Sequence, residues 1–159
     1  MRTIVAGLML LLLTACATTT TSGPRMGTVT LDPESLVTQL LKLPGAVVIK
    51  DPLQFSYPDQ SLFGVGAVLP LPGGTKVLDP LGDFFLSNPG LNWQVDVQMQ
   101  TGHGVEYDQT LAEKRSELLA TYLLSKGVAL EGLHFQPAAG ESESLIFTLK
   151  LPSNTANQK

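Results

Sequence analysis

A chain of 159 residues has room for one domain with its tails. Hydrophobic residues make up 43%, enough for a packed core, and a formal charge of −4 does not suit nucleic acid, which wants a basic partner. The single cysteine excludes an internal disulfide and an all-cysteine metal site.

The first segment reads as an address. Arg2 is a positive n-region, and Ile4 to Leu13 is an apolar run too short to span a bilayer as a helix. Leu13-Thr14-Ala15-Cys16 follows and resembles the bacterial lipobox, in which the peptidase cuts before the cysteine and the cysteine is lipidated. The bland alternative is an ordinary secretory signal with a chance cysteine, but the lone cysteine of the chain sits at the required place. The resemblance implies a signal peptide over 1–15, a lipidated Cys16 and an anchor of several acyl chains, palmitate among them. Ala17 stands after the cysteine; by resemblance to enterobacterial lipoproteins, a non-aspartate there implies the outer membrane, with the domain facing the periplasm. Cleavage removes Arg2 and no acid, so the mature chain is the more acidic form.

Residues 16–31 then read as the lipidated cysteine and a small, polar, Gly/Pro-bearing tether. Residues 32–50 form a lead-in. Asp32-Pro33-Glu34 is a helix start, with Leu36, Val37, Leu40, Leu41 and Leu43 at helical spacing and a stop before Pro44-Gly45. Ala46 to Ile49 is a β-branched apolar run that predicts a strand, and Pro52 breaks it. Leu53, Phe55 and Tyr57 alternate with polar residues as a second strand.

Residues 58–74 are loop-like, rich in proline and glycine, with Ala67-Val68-Leu69 as a candidate short strand. From Thr75 a helical pattern runs to Phe85, and Pro80 predicts a kink or restart. Asn88-Pro89-Gly90 ends it. Trp93, Val95, Val97 and Met99 alternate with Gln94, Asp96, Gln98 and Gln100, which is a half-buried strand. Thr101 to Gly104 is a tight loop. Tyr107 to Val128 reads as one long helix closed by Gly127. Leu133 and Phe135 begin another strand, Pro137 to Ser144 a turn, and Leu145 to Leu149 the last strand; 153–159 is a polar tail. The order is β-α-β-α-β-β after the lead-in. It predicts an α+β fold: a mixed four-stranded sheet with two main helices on one face and the two late strands as a hairpin.

The long helix carries a charge in an odd place. Leu111, Leu118, Leu119 and Tyr122 fall on one side and Glu113, Lys114, Ser116 and Glu117 on the other, while Arg115 lies inside the apolar stripe. An arginine keeps its proton, so there it must find an anion or reach water.

From Val95 to Gly102 the chain reads VDVQMQTG, and from Tyr107 to Gly127 it reads YDQTLAEKRSELLATYLLSKG. This resembles the OmpA-like C-terminal domain, the peptidoglycan-associating module of Gram-negative envelope proteins. That family has a strand ending in a GHTD-like turn followed by YN..LS..RA..V..YL...G. Tyr107, Leu111, Arg115, Tyr122, Leu123 and Gly127 match in register, Gly140-Glu141 is similar to a later G-x-G-E, and the likeness covers roughly 53–150 of an OmpA-like domain placed at 51–152.

The resemblance implies a site. In the family a turn Asp and the helix Arg hold the zwitterionic end of diaminopimelate, which needs one carboxylate for its ammonium and one guanidinium for its carboxylate. Carried over, the tentative ligand residues are Thr101, Gly102, Tyr107, Asp108, Leu111 and Arg115, with a helix N-terminus at about Asp108 offering amides. The sequence departs from the pattern in three ways. Gly102 stands where the Asp belongs, the turn is about two residues short, and the C-terminal P...NRR segment is missing. Asp108 either supplies the lost carboxylate from a new position or pairs with Arg115 and blocks the site; about 10 Å of helix axis lies between them. Glu106 is the other acidic candidate, and an arginine that snorkels to water is the bland outcome.

His103 near Glu106 and Asp108 has no metal-ligand spacing, and the serines lack a partner histidine. No cofactor, metal or enzymatic role follows. Two classes remain in play beside an unsupported enzyme. The first, which the sequence favours, is a lipoprotein whose OmpA-like domain associates non-covalently with the peptidoglycan stem and ties outer membrane to peptidoglycan. The other is an envelope scaffold, as in a secretion system, that keeps the fold without the ligand and binds other envelope proteins.

Overall fold

A computed structural model describes residues 32–58, 61–142 and 144–151. The expected signal peptide, Cys16, the tether and the polar tail lie outside the described residues. Helix α1 is Pro33–Leu40, with Asp32 accepting from the Glu34 N–H as the acid-proline start predicts. It buries Leu36 and Leu40. Strands β1 (Val47–Lys50) and β2 (Leu53–Pro58) follow as an antiparallel pair. Helix α2 is Thr75–Ser87, β3 is Asn92–Met99, α3 is Val105–Ser125, β4 is Leu133–Ala139 after a short 3-10 turn, and β5 is Ser144–Lys150.

The sheet order is β1-β2-β5-β3-β4. Only β3 and β4 are parallel, joined by α3 as their crossover; the other neighbours are antiparallel. The α+β architecture expected from the sequence is therefore present, with the lead-in strand β1 extending the four core strands to five.

Alternation sets the layers. Trp93, Val95, Val97 and Met99 point to the buried side and Gln94, Asp96 and Gln98 away from it. Phe55 and Phe147 meet in register and stack at 4.5 Å; Phe84 and Trp93 close edge-on against Phe55, and Phe85 lies tilted against Phe147. Each such fully buried side chain contributes roughly 1.5–3 kcal/mol.

Four local expectations need correction. The late strands form no hairpin: β5 enters the slot between β2 and β3 and pairs with both. Once α3 delivers β4 to the outer side of β3, that slot is the position that buries Phe147. The link from β4 crosses the end of β3 at Gly140, whose N–H donates to the Met99 carbonyl; a Cβ there would meet Gln98 Cβ at 3.0 Å. The turn expected from Pro137 begins only at Gly140, because β4 is an edge strand and tolerates a residue without an N–H. Pro80 brings no restart: α2 runs through it as one helix and buries Leu78, Leu81, Phe84 and Phe85 on both sides of it. Finally, Ala67 to Leu69 is no strand; among the described residues of that loop, Phe63 and Pro70 form a single β-bridge.

Helix α3 differs at its start and in its phase. It begins at Val105 after Gly104, so Asp108 sits inside the helix and is buried rather than capping it. Its buried residues are Asp108, Leu111, Ala112, Arg115, Ser116, Leu119 and Leu123, while Leu118 and Tyr122 are only half-buried. The buried stripe is thus rotated towards Ala112 and Ser116, small side chains that face the sheet. At the other end Val128 N–H reaches the Leu123 carbonyl and Gly127 N–H the Leu124 carbonyl, the glycine cap that the sequence predicts.

Candidate functional site

The residues carried over from the family gather at one end of the domain, where β3 turns into α3. Thr101 leaves the strand. Its N–H donates to Asp108 Oδ1 at 3.0 Å and its hydroxyl donates to the same oxygen. The Thr101 hydroxyl in turn accepts from the His103 N–H at 3.3 Å. The carboxylate of Asp108 therefore serves as a clamp that closes the turn, which is why a charged residue at 6% exposure is tolerated there.

Gly102 has φ +81, and a Cβ built on it meets nothing within 4 Å. The position is open in space but left-handed, a conformation Asp and Asn accept better than other side chains. Tyr107 is 45% exposed. Its hydroxyl donates to the Gly66 carbonyl at 3.3 Å and its ring meets His103 edge-on at 5.4 Å. Leu111 is a core residue. His103, Gly104, Val105, Glu106, Tyr107 and Thr110 line a shallow depression of about 480 Å³ at the helix entrance.

Arg115 is 2% exposed. Nε donates to the Ala67 carbonyl at 2.8 Å, one terminal N–H donates to the Gly64 carbonyl at 2.9 Å, and the other lies 2.9 Å from Met99 Sδ. The Phe63 ring lies 4.6 Å from the guanidinium carbon. The apolar position of Arg115 was readable from helical spacing; the Gly64 and Ala67 oxygens were not, because they belong to backbone of the 58–74 loop. The one available signal was the glycine content of that loop, which leaves carbonyls accessible. Asp108 turns to Thr101 and does not pair with Arg115. Glu106 stands exposed in the first turn of α3, where its charge suits the helix dipole.

A second cluster has no counterpart in the sequence reading. The Tyr122 hydroxyl donates to Asp79, and Lys126 Nζ lies 2.5 Å from the same carboxylate. Hydrogen bonds from Lys126 and Tyr122 hold the Asp79 carboxyl below its ordinary range; burial and Asp79 push the Tyr122 hydroxyl up, and Asp79 raises Lys126. The cluster ties α2 to α3 beside a groove of about 610 Å³ floored by Val68, Leu78 and Leu118. Among the described residues no three His, Cys, Asp or Glu side chains gather to hold a metal, and no helix is long and apolar enough to cross a membrane.

No family model and no curated protein matches the sequence. Solved structures do match. A MotB-like protein from Desulfovibrio vulgaris is similar at 18% identity over 78% of this chain and 91% of that one, with a TM-score of 0.57. The cell wall anchor of the T6SS from Pseudomonas aeruginosa is similar at 12% identity over 74% and 96%, TM-score 0.56. The periplasmic domain of Helicobacter pylori MotB is similar at 12% identity over 72% and 85%, TM-score 0.55. At these identities the likeness establishes a shared fold.

Proposed function

We propose that this chain is a cell-envelope protein, anchored in the outer membrane by lipid on Cys16, whose OmpA-like domain works as a structural scaffold at the peptidoglycan layer. The shared fold with a MotB periplasmic domain and a cell wall anchor supports the compartment and the structural class. The observation that carries the scaffold role is Arg115. Its guanidinium is buried and already bound to the Ala67 and Gly64 carbonyls, so the cation that a stem-peptide carboxylate would need is engaged within the domain. The acid that would complete a zwitterion clamp is Gly102 in this chain, and Asp108 is taken up by Thr101. No chemical step enters the proposal, and other envelope proteins are the scaffold's partners.

A second reading is favoured by the fold likeness and by the exposed depression at the α3 entrance: non-covalent association with the peptidoglycan stem, centred on Tyr107 and the first-turn amides. Purified sacculi separate the two. The scaffold reading expects no retention that free diaminopimelate-containing stem peptide can compete away. Competed retention, lost in Tyr107→Ala with the fold intact by circular dichroism, overturns it in favour of stem-peptide association.

A further inference from the structure

The two edges of the sheet differ. At the β4 edge Pro137 has no N–H to offer, and the Gln109 side chain covers the positions beside it. Its Nε2 donates to the Pro137 carbonyl at 3.3 Å and its Oε1 accepts from the Ala139 N–H at 3.1 Å. Proline and a side-chain amide thereby occupy part of this edge, at its C-terminal end. At the other edge β1 pairs with β2, and among the described residues no further strand pairs with it.

The side chains of β1 limit what can join it. Val48 lies opposite Phe55 on the helix-covered face and packs against the core. Val47 and Ile49 stand on the open face at 53% and 47% exposure. A two-fold axis normal to the sheet keeps the helices of two copies on one side, and opposed residues must then share a face. Centred on Val48, that axis sets Val48 against Val48 of a second copy and Val47 against Ile49 twice. The half-exposed β-branched side chains of both copies then meet in one apolar cluster. Lys50 falls opposite Ala46, so no like charges oppose each other across the pair. The two-fold contact uses the β1 edge of both copies, so it closes as a dimer.

We propose that β1 is a self-association strand, through which two copies of this chain join edge to edge into one continuous sheet. A strand of four residues covers far less than the roughly 1,200 Å² of a standard interface, so the pairing is weak and concentration-dependent. The proposal stands independently of the scaffold reading. Sedimentation equilibrium of the full chain in detergent micelles tests it. Wild type is expected to show a reversible monomer–dimer equilibrium. Ile49→Glu puts a carboxylate into both symmetric positions of the cluster and is expected to raise the dimer Kd about tenfold or more, with an unchanged urea midpoint for the monomer. Ile49→Val is expected to retain the dimer. A wild type that stays monomeric at every concentration overturns the proposal, and so does a dimer that Ile49→Glu leaves intact.

Discussion

Arg115 Nε donates to the Ala67 carbonyl at 2.8 Å, joining α3 to a loop forty-eight residues earlier in the chain. With the Gly64 carbonyl on the same guanidinium and the Phe63 ring against it, this side chain organises the connection between β2 and α2. Arg115→Ala leaves two carbonyls short of a donor and opens a cavity, which costs roughly 2–4 kcal/mol. Arg115→Lys loses less, about 1–2 kcal/mol, because an ammonium keeps the charge but lacks the planar fork that reaches both oxygens. Urea denaturation measures both, and limited proteolysis of the Ala variant is expected to cut first within 61–74. An Ala variant as stable as wild type would remove this role from Arg115.

The clamp between Thr101 and Asp108 gives a second expectation. Asp108→Ala strands the Thr101 N–H and hydroxyl and costs about 1–2 kcal/mol, whereas Asp108→Asn keeps one acceptor oxygen and loses less. Amide hydrogen exchange at Thr101 separates this from a general loosening. The Ala variant is expected to speed exchange there while amides in the centre of β3 change only in proportion to global stability. Uniform acceleration along β3 would mean that Asp108 holds the whole strand rather than the turn.

What was legible in the sequence follows from periodicity and local chemistry. The alternation of β3, the acid-proline start of α1 and the Gly127 cap each depend on residues near in sequence, and all three appear as read. The position of Arg115 in the apolar stripe was legible for the same reason. Its partners were not, because Gly64 and Ala67 act through backbone oxygens that carry no residue-type signal. The β4–β5 hairpin was misread since neighbouring strands in sequence usually pair, and only the burial of Phe147 between β2 and β3 reverses that preference. Asp79, Tyr122 and Lys126 meet only once α2 and α3 are packed side by side.

That surface cluster makes stability depend on pH at both ends. Asp79 is held below the ordinary carboxylate range by Lys126 and Tyr122, so its contribution is complete above the unfolded carboxylate pKa and is lost as pH falls through the folded one. Lys126 is raised, so its contribution is complete below the ordinary lysine value and fades as pH climbs through the folded value. Wild type is expected to exceed Asp79→Asn in urea midpoint near neutral pH, with the gap narrowing towards about pH 2 and towards about pH 11. Salt should shrink the gap as well, since the pair is exposed. A gap constant with pH would assign the loss to packing.

Tyr57 presents the opposite case, a polar group whose removal should help. Its side chain is 1% exposed and its hydroxyl finds no hydrogen-bond partner among the described residues, while its ring meets Phe55 and Phe147 edge-on. The ring accounts for the packing and the hydroxyl carries an uncompensated loss of hydration. Tyr57→Phe keeps the ring and deletes the orphan oxygen, so it is expected to be neutral or to stabilise by up to about 1 kcal/mol. The same burial pushes the phenol pKa up. A phenol raised on folding contributes fully below the unfolded value of about 10 and loses that contribution as pH rises towards the folded one, so Tyr57 works against the fold in alkali. The advantage of Tyr57→Phe should therefore grow between about pH 7 and about pH 11 in paired urea titrations. A phenylalanine variant that loses more than about 1 kcal/mol at neutral pH would show that the hydroxyl is hydrogen-bonded in solution after all.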